Sequence, residues 1–280
     1  MIPTGAAIVA GVTGDPIAHS LSPVVMRHWI DAAGIDALYA PFPISAGNFD
    51  RVVRGLAGAG CRGLNVTLPH KEAALELART ASGPARAVGA ANLLTFTPAG
   101  IHADNTDIAG FLYALAPANV EFRKARALIF GAGGAARAML YALLTVGVTD
   151  VAICNRNITR AQGLSRDIAP DASIIPWEAR DDALQGRDLI INATSLGLAG
   201  RDELALDWQR VRPGSVAFDG IYTPVNTRFI VESRARGVTA IDGLDMLIGQ
   251  ARPSFEAFFG RPAPDLPDMR SRLLEHLGAR

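Results

Sequence analysis

The sequence predicts an α/β chain built as two units, each a sheet covered by helices. Three observations carry this. Apolar, strand-like runs alternate with helix-period segments from end to end, the pattern of parallel sheets packed under helices. A glycine-rich turn, Gly131-Ala132-Gly133-Gly134-Ala135-Ala136, sits in mid-chain between an apolar run at 125–130 and a helical stretch. The 280 residues suit about two domains and are enough to bury a substantial core.

Taken in order, the first part carries strands near 5–12, 37–42 and 62–66, helices near 22–33, 48–59 and 70–79, and a strand around 90–96. Pro23 suits the first turn of the helix at 22, and Pro69 opens the helix that brings Lys71 into its first turn. A helix from about 107 to 115 leads through the polar stretch 118–126 to the glycine turn, and a helix spans 134–146. Strands follow at 151–154 and near 172–175, 187–192, 215–218 and 238–241, then helices near 243–259 and 268–277. Since the glycine turn lies in the middle, the predicted division is a first α/β domain over 1–108, completed by helices within 243–280, and a Rossmann-type nucleotide domain over 109–242. Ligand is expected in the cleft between the two.

Alone, a G-x-G-x-x-[GA] turn also fits an ordinary strand-to-helix connection. The next strand adds weight. It ends in Asn155-Arg156-Asn157, where an NAD-binding protein places an acid for the ribose 2′-hydroxyl, and Arg160 follows one helical turn on. Arginine at that place suits a 2′-phosphate and hence NADP.

Composition narrows the function classes. Apolar residues make up 49%, and 27 basic side chains balance 27 acidic ones, which argues against nucleic-acid or membrane-surface partners because both need a field of one sign. Cys61 and Cys154 lie in or beside apolar runs and read as reduced core residues of a cytoplasmic protein. No metal-ligand cluster is visible. The start is apolar but has no basic segment and carries Pro3, Gly5 and Gly11, so it reads as a first strand and not as a targeting peptide. Nothing approaches the length of a membrane span.

Polar residues of the first half gather at strand ends and helix starts, where open α/β sheets hold ligands. Ser20 and Ser22 follow the first strand at the start of the first helix, beside His19, and a plain N-cap needs only one of them. Asn65, Thr67 and Lys71 follow the third strand, and Asp104-Asn105-Thr106-Asp107 precedes the helix at 107 as a string of possible caps. Lys71 stands out because the dipole at a helix start favours anions. Only Lys71 and Lys124 among the basic side chains are lysine, so Lys71 points to a task arginine cannot do, such as giving up a proton.

Together the blocks Pro16-Ile-Ala-His-Ser-Leu-Ser-Pro23, Asn65-Val-Thr-Leu-Pro-His-Lys71, Gly89-Ala-Ala-Asn92, Asn105-Thr-Asp107, the Gly131 turn, Asn155-Arg156, Asn192-Ala-Thr-Ser195, Tyr222-Thr-Pro224 and Gly243-Leu-Asp-Met-Leu-Ile-Gly-Gln250 resemble the shikimate dehydrogenase family, over nearly the whole chain and in the right order. The resemblance implies NADP-dependent interconversion of 3-dehydroshikimate and shikimate, a step of chorismate and aromatic amino-acid biosynthesis, in a cytoplasmic monomer or homodimer. It makes Lys71 and Asp107 the catalytic pair. Ser20 and Ser22 would hold the substrate carboxylate, Asn65, Thr67, Asn92 and Gln250 its hydroxyl face, and Tyr222 its ring. NADP would lie on Gly131, Ala132, Gly133, Gly134, Ala135, Asn157, Thr194 and Gly243, with its 2′-phosphate at Asn155, Arg156 and Arg160. A quinate/shikimate dehydrogenase or a paralogue with another substrate would look alike. The family usually has His at Met26, Thr at Leu93 and Asn157, Gly at Ala251 and Trp at Phe259.

Overall fold

The computed structural model describes residues 2–278 and divides into two units, one formed by the chain up to Asp107 together with the part from Leu247 on, the other by Ile108–Met246. The second crossing falls inside a helix, four residues beyond the expected start of the returning segment at 243, so Gly243 lies in the nucleotide unit.

The first unit runs β1 (Ile8–Gly14), α1 (Ser22–Ala33), β2 (Ala37–Pro43), α2 (Phe49–Gly58), β3 (Gly63–Val66), α3 (Lys71–Leu77), β4 (Thr80–Ala81), α4 (Gly83–Val88), β5 (Leu93–Thr97) and β6 (Gly100–Asp104). Its sheet has the order β2-β1-β3-β5-β6-β4. The expectation of purely parallel pairing fails here. β5 runs antiparallel to both β3 and β6; the pairing with β6 follows from Pro98-Ala99, which turns the chain straight back so that Thr97 pairs with Gly100. β1 starts at Ile8, three residues later than expected, since Ala7 N–H is held in a turn by the Thr4 carbonyl. The short β4, α4 and β6 have too few apolar residues to show a period. Under the sheet, Leu64, Val66 and Leu94 pack with Phe49, Val53 and Ala74.

α5 (Asp107–Leu115) opens the second unit, followed by β7 (Arg126–Phe130), α6 (Gly134–Thr145), β8 (Asp150–Cys154), α7 (Ile158–Ile168), β9 (Ser173–Ile175), β10 (Leu189–Asn192), β11 (Val216–Asp219), α8 (Arg228–Ala235) and β12 (Thr239–Ile241). All strands are parallel, in the order β12-β11-β10-β7-β8-β9. β10 and β11 are buried throughout, as strands covered on both faces must be. One face packs Phe111, Met139, Leu140 and Phe218, with Phe111 edge-on to Phe218 at 4.9 Å. Trp208, Phe229 and Ile230 cover the other.

α9 (Gly243–Phe259) begins in the second unit and returns the chain to the first, where α10 (Met269–His276) ends it. There Phe255 meets Trp29 of α1 edge-on at 5.7 Å, and Phe258 meets Tyr39 of β2 at 6.2 Å. Cys154 is buried and Cys61 half-buried, both unpaired; burial pushes the Cys154 thiol up to about 12, so it stays protonated. No helix among the described residues is long and apolar enough to cross a membrane, and no group of three or more His, Cys, Asp or Glu among them could hold a metal ion.

Candidate functional site

In the first unit the polar residues collect at one end of the sheet. β1 and β3 are parallel neighbours, so the loops leaving their C-terminal ends run side by side, and Asp15 N–H donates to the Leu68 carbonyl at 3.0 Å. Thr67, half-buried, lies on the second loop, and Ser20 and Ser22 on the first. Ser22 is the first residue of α1, which has no side-chain cap; its own N–H donates to Ser20 Oγ at 3.3 Å. The N-cap explanation of Ser22 is therefore absent from the structure. Pro69 also differs from expectation. α3 starts only at Lys71, so Pro69 precedes it and does not open it. The residue just ahead of α3, His70, is buried, stacked on Phe49 at 4.6 Å and with Nε2 2.6 Å from the Ile44 carbonyl.

Lys71 Nζ donates to Asp107 Oδ2. The side chains are 11% and 8% exposed, so water screens this pair weakly. Asp107 Oδ1 accepts from Asn92 Nδ2 at 2.8 Å, and Asp107 N–H donates to Asn105 Oδ1 at 3.1 Å. The carboxylate thus has two side-chain donors and sits in the first turn of α5, where the dipole favours a negative charge. The anion answers the misplaced lysine of α3. The Asp104–Asp107 string is more than a row of caps: Asn105 does accept from the helix start, but Asp107 spends its side chain on Lys71 and Asn92.

Asn92, just ahead of β5, joins the rest. Its Oδ1 accepts from Thr106 N–H at 2.7 Å, and Gln250 Oε1 lies 3.5 Å from its Nδ2 and 3.4 Å from Thr106 Oγ1. Asn65 belongs to a second chain of bonds. Tyr39 Oη donates to its Oδ1 at 2.8 Å, and its amide hydrogens go to Ser254 Oγ at 2.7 Å and the Asn92 carbonyl at 3.2 Å. With both N–H groups used, Asn65 can only accept from a ligand. Tyr39 and Ser254 were not singled out by the sequence, and Thr106 stood there only as one of a string of possible caps. Ser254 had a signal, four residues after Gln250 and so on the same helix face.

The second unit places the glycine turn at the end of β7. Gly131 has φ +116°, and a Cβ there would lie 2.8 Å from the Ala193 carbonyl oxygen, so only glycine fits. Gly133 is the N-cap of α6 and supplies no side-chain cap; a Cβ there would meet nothing within 4 Å. That open space in front of unpaired helix N–H groups fits a pyrophosphate, with Gly134 as the first helical residue and Ala132 and Ala135 half-buried beside it. β7 is also where the strand order reverses, the place at which such sheets hold a dinucleotide.

At the end of β8, Asn155 Nδ2 donates to the Asn157 carbonyl at 2.8 Å, and Asn157 Oδ1 caps α7 by accepting from Arg160 N–H at 3.2 Å. Asparagine caps at least as well as the threonine usual in the family. Arg156 and Arg160 are exposed and have no ion-pair partner among the described residues. Thr194 donates its N–H and hydroxyl to Asn192 Oδ1 at 3.0 and 2.7 Å. Tyr222 is half-buried after β11, and Gly243 N–H donates to the Ile221 carbonyl at 3.0 Å. The remaining departures, Met26, Leu93, Ala251 and Phe259, are all buried apolar side chains.

A dinucleotide-type sheet in one unit and a buried lysine–carboxylate pair in the other define a class, the dinucleotide-dependent oxidoreductases of two-unit α/β build. The family follows from three matching models: the shikimate dehydrogenase substrate binding domain over residues 12–94, shikimate / quinate 5-dehydrogenase over 114–199, and the shikimate 5′-dehydrogenase C-terminal domain over 243–274. The chain belongs to the shikimate dehydrogenase family. It is 99% identical to shikimate dehydrogenase (NADP(+)) of Maricaulis maris strain MCS10 over 280 residues, all of both chains. It is 46% identical to shikimate dehydrogenase (NADP(+)) of Acidiphilium cryptum strain JF-5 over 260 residues, 93% of each chain. Shikimate 5-dehydrogenase of Thermus thermophilus, solved in complex with NADP(H) and shikimate, superposes with a TM-score of 0.85 at 30% identity, over 96% of this chain and 99% of that one.

Proposed function

We propose that the chain catalyses the reversible, NADP-dependent reduction of 3-dehydroshikimate to shikimate. The observation that carries this is the Lys71–Asp107 pair, closed by Asn92, in the same unit whose parallel neighbours β1 and β3 lead into Ser20 and Ser22 and into Thr67. Bound NADPH supplies the hydride. When the C3 carbonyl becomes an alkoxide, Lys71 gives it a proton and takes one back from solvent, while the hydrogen bond to Asp107 aims the ammonium. Ser20 and Ser22 hold the substrate carboxylate, Thr67, Asn92 and Gln250 meet ring hydroxyls, Asn65 accepts from one, and Tyr222 positions the ring.

NADP is held through Gly131, Ala132, Gly133, Gly134 and Ala135 at its pyrophosphate, with Thr194 and Gly243 as backbone approaches. The guanidinium groups of Arg156 and Arg160 take the 2′-phosphate, beside Asn155 and Asn157. Balanced charge supports a small-molecule enzyme without a nucleic-acid partner. The proposed setting is the cytoplasm, as a monomer or homodimer. The test is NADP reduction followed with shikimate and with quinate. Turnover with shikimate at a higher kcat/KM is expected; a preference for quinate moves the chain to the quinate branch of the same family.

A further inference from the structure

One buried acid in the nucleotide unit takes no part in the proposed reaction. Asp219 ends β11 with no exposed surface, and all its hydrogen-bond partners are neutral donors. Oδ1 accepts from Asn192 Nδ2 at 3.0 Å and from Ile221 N–H at 3.1 Å; Oδ2 accepts from the Thr227 hydroxyl at 2.6 Å. Each partner commands a different segment. Asn192 ends β10 and holds Thr194 by two bonds, in the loop that crosses Gly131 so closely that a Cβ there would strike the Ala193 carbonyl. Ile221 precedes Tyr222, and its carbonyl accepts from Gly243 at the start of α9. Thr227 caps α8.

The cost of this arrangement is visible in the acid itself. Burial, only partly offset by the three hydrogen bonds, lifts its carboxyl from 3.8 to about 7. The charged group that acts on it is Asp242, which adds to the rise. A mere helix cap needs no such residue, since Thr227 alone satisfies the N–H of Ile230.

The position tells what the hub serves. With Arg156 and Arg160 at the end of β8 taking the 2′-phosphate, the adenosine half lies on that side of β7, and the other half of the dinucleotide falls across the ends of β10 and β11. We propose that Asp219 is a positioning residue of the cofactor site, setting the loops after β10 and β11 that receive the nicotinamide half. This rests on the reading of the unit as the NADP site.

The test compares two probes on the full chain, NADPH and adenosine 2′,5′-bisphosphate, the second touching only the β8 side. Asp219→Ala is expected to weaken NADPH by roughly tenfold or more, the usual scale for misplacing a bound group, and to leave the bisphosphate within about twofold. Asp219→Asn, which keeps an acceptor for Asn192 and Ile221, should recover NADPH binding to within about threefold of the wild type. Should Asp219→Ala give no folded protein, Asn192→Ala carries the same expectation, since it cuts the link to Thr194. Unchanged NADPH binding overturns the proposal, and so does equal loss of both probes, which marks a role in folding alone. A wild-type chain that binds neither probe overturns the NADP reading and the proposal with it; a wild type that binds both, with variants unaffected, overturns the proposal alone.

Discussion

Lys71 and Asp219 show how two buried titratable groups in one chain are used in opposite ways. Lys71 donates to a carboxylate that also accepts from Asn92, and in the proposed reaction this pair handles the proton. Lys71→Arg preserves the charge but cannot cycle between charged and neutral forms, so kcat should fall by about 10²–10⁴ while NADPH binding, read by fluorescence titration, stays normal. Asp107→Asn should also slow turnover, and the double variant should be little worse than the poorer single one, because the residues act as a unit. A Lys71→Arg enzyme with near wild-type kcat would remove the proton-donor role. The folded Asp219 carboxyl is raised from 3.8 to about 7, so between those values the folded chain holds the proton more tightly than the unfolded one. Its contribution to stability is complete below 3.8 and is lost as pH rises towards about 7. Asp219→Asn should therefore gain Tm relative to the wild type as pH rises from about 4 to about 7 and level off above that; a constant difference across that range would contradict the raised value.

Helix starts and strand ends carry most of the chemistry, and the sequence showed their places better than their bonding. The helices at 22–33, 107–115 and 243–259 lie where the apolar period put them. The antiparallel β5 was not legible, because a five-residue strand gives no sign of its direction until its partners are known. Lys71, Asp107 and Asn92 stood out as residues, yet their mutual contact spans 15 to 36 positions and depends on that sheet order. The polar network of Tyr39, Asn65 and Ser254 was hidden for the same reason. At α1 the lack of a side-chain cap yields a clear expectation. Ser22→Ala should cost less stability than the ~1 kcal/mol of a lost cap, and raise KM for shikimate. A loss of about 1 kcal/mol with KM unchanged would restore the cap reading.

Across the whole chain, the first unit is assembled from both ends of the sequence and the second from one continuous stretch. The sequence pointed to a division of this kind because the glycine turn lies in mid-chain and leaves about 110 residues before it for a separate unit. The crossing inside α9 was not legible, since the helical period runs through it without a break. The consequence is an asymmetry that truncation can expose. Removing everything after Met246 takes Phe255 and Phe258 out of the first unit, along with Gln250 and Ser254 from the network at Asn92 and Asn65. Both phenylalanines are essentially fully buried, and losing each side chain costs about 3–5 kcal/mol, together comparable with the whole stability of a domain, about 5–15 kcal/mol. The second unit keeps both of its own packed faces. The shortened chain should therefore show no turnover with shikimate but retain NADPH binding within about threefold, since saturating cofactor stabilises whatever folded unit holds it. Loss of NADPH binding together with turnover would show that the continuous stretch does not fold by itself, and that the hydrophobic faces under its sheet are not sufficient to hold it.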